Sequence, residues 1–160
     1  MIGRVMNEVN NHFIISFERV EAQISGENLK GSFKEEYEAG MYIHIQGSLL
    51  NTGTYKIIAI TENEITLDTA LRDEKIKNMY LYGLNPSREF LEVVAGIEEH
   101  TANISGGNIA SEKQGDKSIS YAGDNKWQTA FINELETYRN IYDDLTFYSK
   151  KHYYNLNVKW

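Results

Sequence analysis

The chain contains no cysteine. Disulfides, thiolate metal sites and cysteine nucleophiles are therefore excluded outright. It also contains no run approaching the roughly 18 to 20 apolar residues that a membrane helix needs. The opening segment MIGRVMNEVNN lacks the apolar stretch of a secretory signal, so the expectation is a soluble, untargeted chain with no membrane partner. Positive charge is scarce as well: 16 Lys and Arg against 23 Asp and Glu give a net charge of −7. A general nucleic-acid binder needs cations to displace counterions from phosphates, and that class is disfavoured. An acidic protein can still surround DNA without gripping it. Proline occurs once, at Pro86, and marks the main change in sequence pattern.

What the chain does have is 41% hydrophobic and 12% aromatic residues over 160 positions, enough to bury a core as one domain or two small subdomains. Charge is placed unevenly. The segment 149–160, SKKHYYNLNVKW, holds three Lys and no acid, and removing its +3 leaves the other 148 residues at −10. A basic, aromatic tail following an acidic body is a candidate interaction signal.

From about Phe13 to Gly83 the pattern is that of short strands: 13–17, 41–46, 55–60, 64–68 and 79–82, each rich in β-branched or aromatic residues and bounded by turn formers. A further strand pair around Gly26 is expected within 20–33. Closely spaced short strands predict an antiparallel β-barrel or sandwich of about five to six strands, forming a small β-domain over 1–84. Asn85 as cap and Pro86 at the first helical position then open a helix to about 101, with Phe90, Leu91, Val94 and Ile97 on one face. The Gly106-Gly107 region reads as a linker within a loop near 102–123. A second helix is expected from Asp124 or Asn125 to about Tyr148, carrying the stripe Trp127, Phe131, Leu135, Tyr138, Tyr142 and Leu145, so that 85–148 forms a helical region. The fold class is α+β with an extended C-terminal tail. That stripe is a face for core or subunit packing.

Catalytic and metal chemistry finds little footing. His12, His44, His100 and His152 form no metal-ligand spacing, and alternation with Tyr42 and Gln46 predicts that His44 points outward from its strand. Glu35-Glu36, Glu98-Glu99 and Asp143-Asp144 read as solvated faces, since adjacent helical residues diverge by about 100°. Neither Gly106-Gly107 nor the stretch GSLLNTGTYKI from Gly47 to Ile57 joins a strand to a helix through a Gly-Lys-Ser/Thr ending, as a phosphate loop would. The latter reads as a hairpin in which Gly53 supplies a positive φ. No constellation joins a nucleophile, a base and an oxyanion donor, so the expectation is a non-enzymatic chain without cofactor or metal.

Three segments in order carry a resemblance. Ala39 to Ser48 with Asn51 to Ile57 matches a G-x-Y-I-x-I-x-G-S…N-D-G-x-Y-x-I pattern. Tyr80 to Pro86 leads into an acidic helix containing Phe90 to Glu99. Ile109 to Tyr121 matches S-E-x-x-G-x-x-S-x-S-Y ahead of a last helix with Trp127-Gln128 and Tyr138-Arg139. Together these resemble head-tail connector, or adaptor, proteins in the neck of tailed bacteriophages of Gram-positive hosts, over roughly 24 to 145. The departures are Thr52 in place of an Asp, and the extended terminus 147–160.

The resemblance implies a non-enzymatic virion protein of the phage neck, made in the host bacterial cytoplasm. It implies a homo-oligomeric ring of twelve copies beneath the portal protein, passing double-stranded DNA through its lumen without specific binding and offering a platform to the next neck or tail component, a stopper. On physical grounds the docking tail is Lys150, Lys151, Tyr153, Tyr154, Leu156, Val158, Lys159 and Trp160, where alternation at 154, 156, 158 and 160 suits strand addition to a partner. Leu49 and Leu50, with Gly53, form the hairpin-tip contact. Two other readings stay open: a stopper or tail-completion ring that does not touch the portal, and a small barrel stacking single-stranded nucleic acid on Tyr42, Tyr55, Tyr80 and Tyr82.

Overall fold

A computed structural model of the chain describes residues 1–105, 112–114, 117–119 and 127–140. Helix α1 (Ile2–Glu8) precedes four antiparallel strands: β1 (Ile14–Gly31), β2 (Tyr42–Gln46), β3 (Gly53–Thr61) and β4 (Glu64–Leu84). Helix α2 (Arg88–Ser105), a two-stranded ribbon of β5 (Glu112–Gln114) and β6 (Lys117–Ile119), and the short helices α3 (Trp127–Ala130) and α4 (Ile132–Glu136) follow. The fold is α+β, as expected, but the sheet is not closed into a barrel. Its order is β1-β4-β2-β3, with β3 also reaching β4.

The expected strand pair around Gly26 is instead the continuation of one long strand. Gly26 has φ +59 and donates its N–H to Asp73 Oδ1 at 3.1 Å, and the register against β4 shifts on both sides of it. A bulge of this kind reverses the inward-facing parity, so Ile24 and Leu29 are both buried although they stand an odd step of five positions apart. The segments 64–68 and 79–82 likewise prove to be two ends of β4, which pairs with β1 from Leu84↔Ile14 to Glu64↔Lys30. Phe13, expected in the first strand, lies just before it at φ +55, wedged 4.6 Å from the Phe90 ring.

Two buried clusters occupy opposite faces of the sheet. One gathers Val20, Ala22, Ile24, Ile43, Ile45, Met79 and Leu81, closed over by Phe33 and Tyr37 from the 32–41 segment. The other gathers Val5, Met6 and Val9 of α1, Phe90, Val94 and Ile97 of α2, and Trp127 and Leu135 against Tyr82 and Leu84. Alternation along β4 sends Met79 and Leu81 to the first and Tyr82 and Leu84 to the second, so this end of the strand is buried on both faces. That double cover corrects the reading of His44. It is buried beneath the helical layer, with Nδ1 3.0 Å from Thr54 Oγ1 and its ring edge-on to His12 and Tyr82.

Helix α2 starts later than expected. Asn85 donates its N–H to Phe13 O, while Ser87 is the cap, its Oγ accepting from Phe90 N–H at 3.2 Å. The long last helix is also corrected. It is broken at Phe131 (φ −114, ψ 21) into α3 and α4, and the chain turns at Thr137 and Tyr138 before Asn140 N–H reaches Val9 O at 2.8 Å. The remainder of that stretch, 141–148, lies outside the described residues.

Candidate functional site

Between β2 and β3 the chain makes a tight loop whose backbone is fastened from within. Ser48 Oγ accepts the N–H groups of Leu50 and Asn51, at 3.1 and 2.6 Å. Thr52 Oγ1 donates to Ser48 O at 2.8 Å, and the Tyr55 hydroxyl donates to Asn51 O at 3.1 Å. Buried Asn51 ties the loop to β4, donating from Nδ2 to Arg72 O and accepting Arg72 N–H at Oδ1, both at 2.9 Å. Glu74 completes the clamp, accepting from Ser48 Oγ at 2.6 Å, Leu49 N–H at 3.0 Å and Asn51 Nδ2 at 3.0 Å. The Ser48 bond foremost, joined by the loop N–H groups, holds the Glu74 carboxyl below the usual glutamate range against a smaller opposing effect of burial.

The outcome is a rigid loop that faces water with two leucines. Leu49 is 94% exposed and Leu50 52%. Polar groups fix the backbone while both apolar side chains are left outside, so the order of the loop owes nothing to their burial. The glycine assignment is corrected here. Gly47, at φ +87, supplies the left-handed turn, and a Cβ there would sit 3.0 Å from Asn78 O. Gly53 is not at positive φ; a Cβ on it would press to 3.0 Å of the Tyr55 hydroxyl.

Of the helical stripe, the described members face the chain's own interior. Trp127 and Leu135 are buried, and Phe131 and Tyr138 pack half-buried beside them, Tyr138 edge-on to Phe90 at 5.2 Å. Tyr142 and Leu145 lie outside the described residues, as does the whole of 149–160 with Lys150, Lys151, Tyr153, Tyr154, Leu156, Val158, Lys159 and Trp160.

The four tyrosines considered for base stacking do not form a platform. Tyr82 is fully buried with its hydroxyl donating to Gln46 Oε1 at 2.8 Å, and Tyr80 lies stacked on Phe17. Tyr42 and Tyr55 line a separate groove of about 430 Å³ with Asp68, Leu91, Val94 and Glu98. Burial first, then Asp68 and Glu98, raises the Tyr42 phenol; burial and Asp68 raise that of Tyr55. This groove is acidic, the wrong sign for a nucleic-acid strand.

Glu35 and Glu36 are exposed, as are Glu98 and Glu99, in keeping with solvated faces. The carboxylate that sequence reasoning passed over is Glu18, buried on β1, accepting Lys34 N–H and the Tyr37 hydroxyl, each at 2.9 Å. Burial, and then Glu18, drives the Tyr37 phenol well above the usual tyrosine range, so it stays a donor. Among the described residues no group of three or more His, Asp or Glu is placed to hold a metal ion, and no helix is long and apolar enough to cross a membrane.

No family model, curated protein or solved structure matches the chain.

Proposed function

We propose that the chain is a structural component of a tailed-phage neck: a head-tail connector that assembles into a ring under the portal and joins capsid to tail. The observation that carries this reading is the fastened loop that exposes Leu49 and Leu50. A surface leucine held on a mobile loop must be ordered when it docks. Here that entropy has already been spent in folding, which favours a preorganised contact with another protein. The three-segment sequence resemblance supplies the class of partner.

Charge supports the same function. With −10 outside the terminal segment, the body repels a passing duplex and lets it slide. Because Trp127 and Leu135 pack in their own subunit, lateral ring contacts fall to other apolar surface, of which Ile15, Ile58 and Ile132 are about half exposed.

The test is mass measurement and electron microscopy of the chain mixed with its portal. A closed ring on the portal is the expected outcome, and a monomer that never associates overturns it. Separate pull-downs with portal and tail proteins distinguish a connector from a stopper or tail-completion ring.

A further inference from the structure

Between strands β2, β3 and β4 on one side and helices α1 and α2 on the other lies the groove of about 430 Å³ already described. Its floor is apolar, from Leu91 and Val94; Tyr42 and Tyr55 form a wall; Asp68 and Glu98 stand exposed at the rim. Asp68 Oδ1 accepts the backbone N–H of Lys56 at 3.1 Å, and Glu98 Oε1 lies 3.6 Å from the Met1 ammonium, so one rim carboxylate already holds a cationic donor. Apolar floor, aromatic wall and acidic rim call for an occupant that carries both aromatic and lysine side chains.

The chain carries such a segment itself. Residues 149–160 hold three Lys, three aromatics besides His152, and no acid. Reach permits the contact. Asn140 is pinned by its N–H to Val9 O, at one end of α1, and the groove opens at the other end, beside Met1 and Ile2. A seven-residue helix is about 10 Å long, whereas the ten residues from Asn140 to Lys150 span up to about 33 Å when extended. A tether that comfortably exceeds its span gives a local concentration on the order of millimolar, far above that of a second copy in dilute solution.

We propose that this groove holds the chain's own C-terminal segment, residues 149–160, with its lysines at Asp68 and Glu98 and an aromatic side chain against Tyr42 and Tyr55. The proposal does not depend on the ring. A segment held there is withheld from other proteins, so a partner that takes the tail must first displace it, and this sets an order on assembly.

The experiment is heteronuclear NMR on the dilute full-length chain, in which the two tryptophans, Trp127 and Trp160, give two indole N–H signals. Asp68→Asn with Glu98→Gln keeps the hydrogen-bond acceptors and removes the charge. It should move the Trp160 indole and the 150–160 amides toward random-coil positions and lower their exchange protection about tenfold. Lys150→Glu with Lys151→Glu, which leaves the described fold untouched, should do the same. Tail signals at random-coil positions in the wild-type chain, or indifferent to both pairs of changes, overturn the proposal. Shifts that appear only as concentration rises overturn it too, since the segment would then come from a second copy. Failure of the wild-type chain to bind the portal refutes the connector reading alone, whereas random-coil tail signals refute this one alone.

Discussion

Glu74 on β4 accepts the Ser48 hydroxyl at 2.6 Å, across 26 residues of sequence, and so makes a charged strand residue the anchor of an apolar loop tip. Replacing Glu74 with Ala removes three acceptor contacts from that loop. The expected cost is about 1 kcal/mol, a charge-assisted bond discounted for its partly exposed setting. Hydrogen exchange at Leu50 and Asn51 should accelerate, while the amides of Ile43 and Ile45 stay protected. Uniform loss of protection across β2 would show instead that Glu74 supports the sheet as a whole.

Acid should loosen the same loop. The Glu74 carboxyl titrates below its ordinary value in the folded chain, so its contribution is present above the unfolded-state pKa and disappears as pH falls through the lowered folded one. Following the Leu49 amide shift with pH should give a midpoint below the normal glutamate range. A midpoint at or above that range contradicts the geometry.

Leu49→Ser with Leu50→Ser tests the docking role of the tip. Both side chains already face water, so the thermal midpoint should not move. Affinity for the neck partner should fall by at least about tenfold, because two leucines no longer leave water on binding. Unchanged affinity, measured by interferometry on the immobilised partner, would remove the tip from the interface.

Among the described residues, Ser16 Oγ is buried without a hydrogen-bond partner, and it faces Gly83 so closely that a Cβ on Gly83 would collide with it. Gly83→Ala should cost about 2 kcal/mol. Ser16→Ala alone should be neutral or stabilising, since it removes an unsatisfied hydroxyl. The double change should recover part of the loss, because Ser16 Cβ stands at an ordinary 3.5 Å while Tyr37 Cε1 stays at a tight 3.3 Å. Urea denaturation of the four proteins closes this cycle, and additive effects would refute the clash.

Trp127→Ala should destabilise the monomer by about 3 kcal/mol through lost burial and a cavity against α1 and α2. If instead the isolated chain keeps its stability and only oligomers weaken, the indole belongs to an interface between subunits.

Particular residues show where the sequence was readable. The two strands of the β2–β3 hairpin and the apolar face of α2 follow from local alternation and spacing, and those elements were placed to within a few residues. Helix α1 has helical spacing at Ile2, Val5, Met6 and Val9, but at seven residues with no side-chain cap it carries no start signal that local sequence would announce. His44 was misplaced because alternation says which residues share a face, and not whether one face or both are covered. Gly26 looked like a reversal because a glycine at positive φ serves turns and bulges alike. Hardest to foresee was the Ser48, Asn51 and Glu74 clamp, for its parts are distant in the chain and none is unusual in type. Ser48 and Asn51 flanking two leucines is the only local hint of it.

The 21-residue strand β4 gives the molecule a mechanical character. Glu74 grips the loop tip near its middle, Leu84 leads toward α2, and β1 is laddered alongside for almost the entire length. A push on the tip enters a strand whose rungs to β1 are strained together, in shear, and do not give way one at a time. Stiffness is therefore highest along the line from the leucine tip to the helical layer, interrupted by the register shifts near Val20 and Gly26. The β1–β4 ladder should therefore carry a load along that axis as one piece and bend most readily at those bulges.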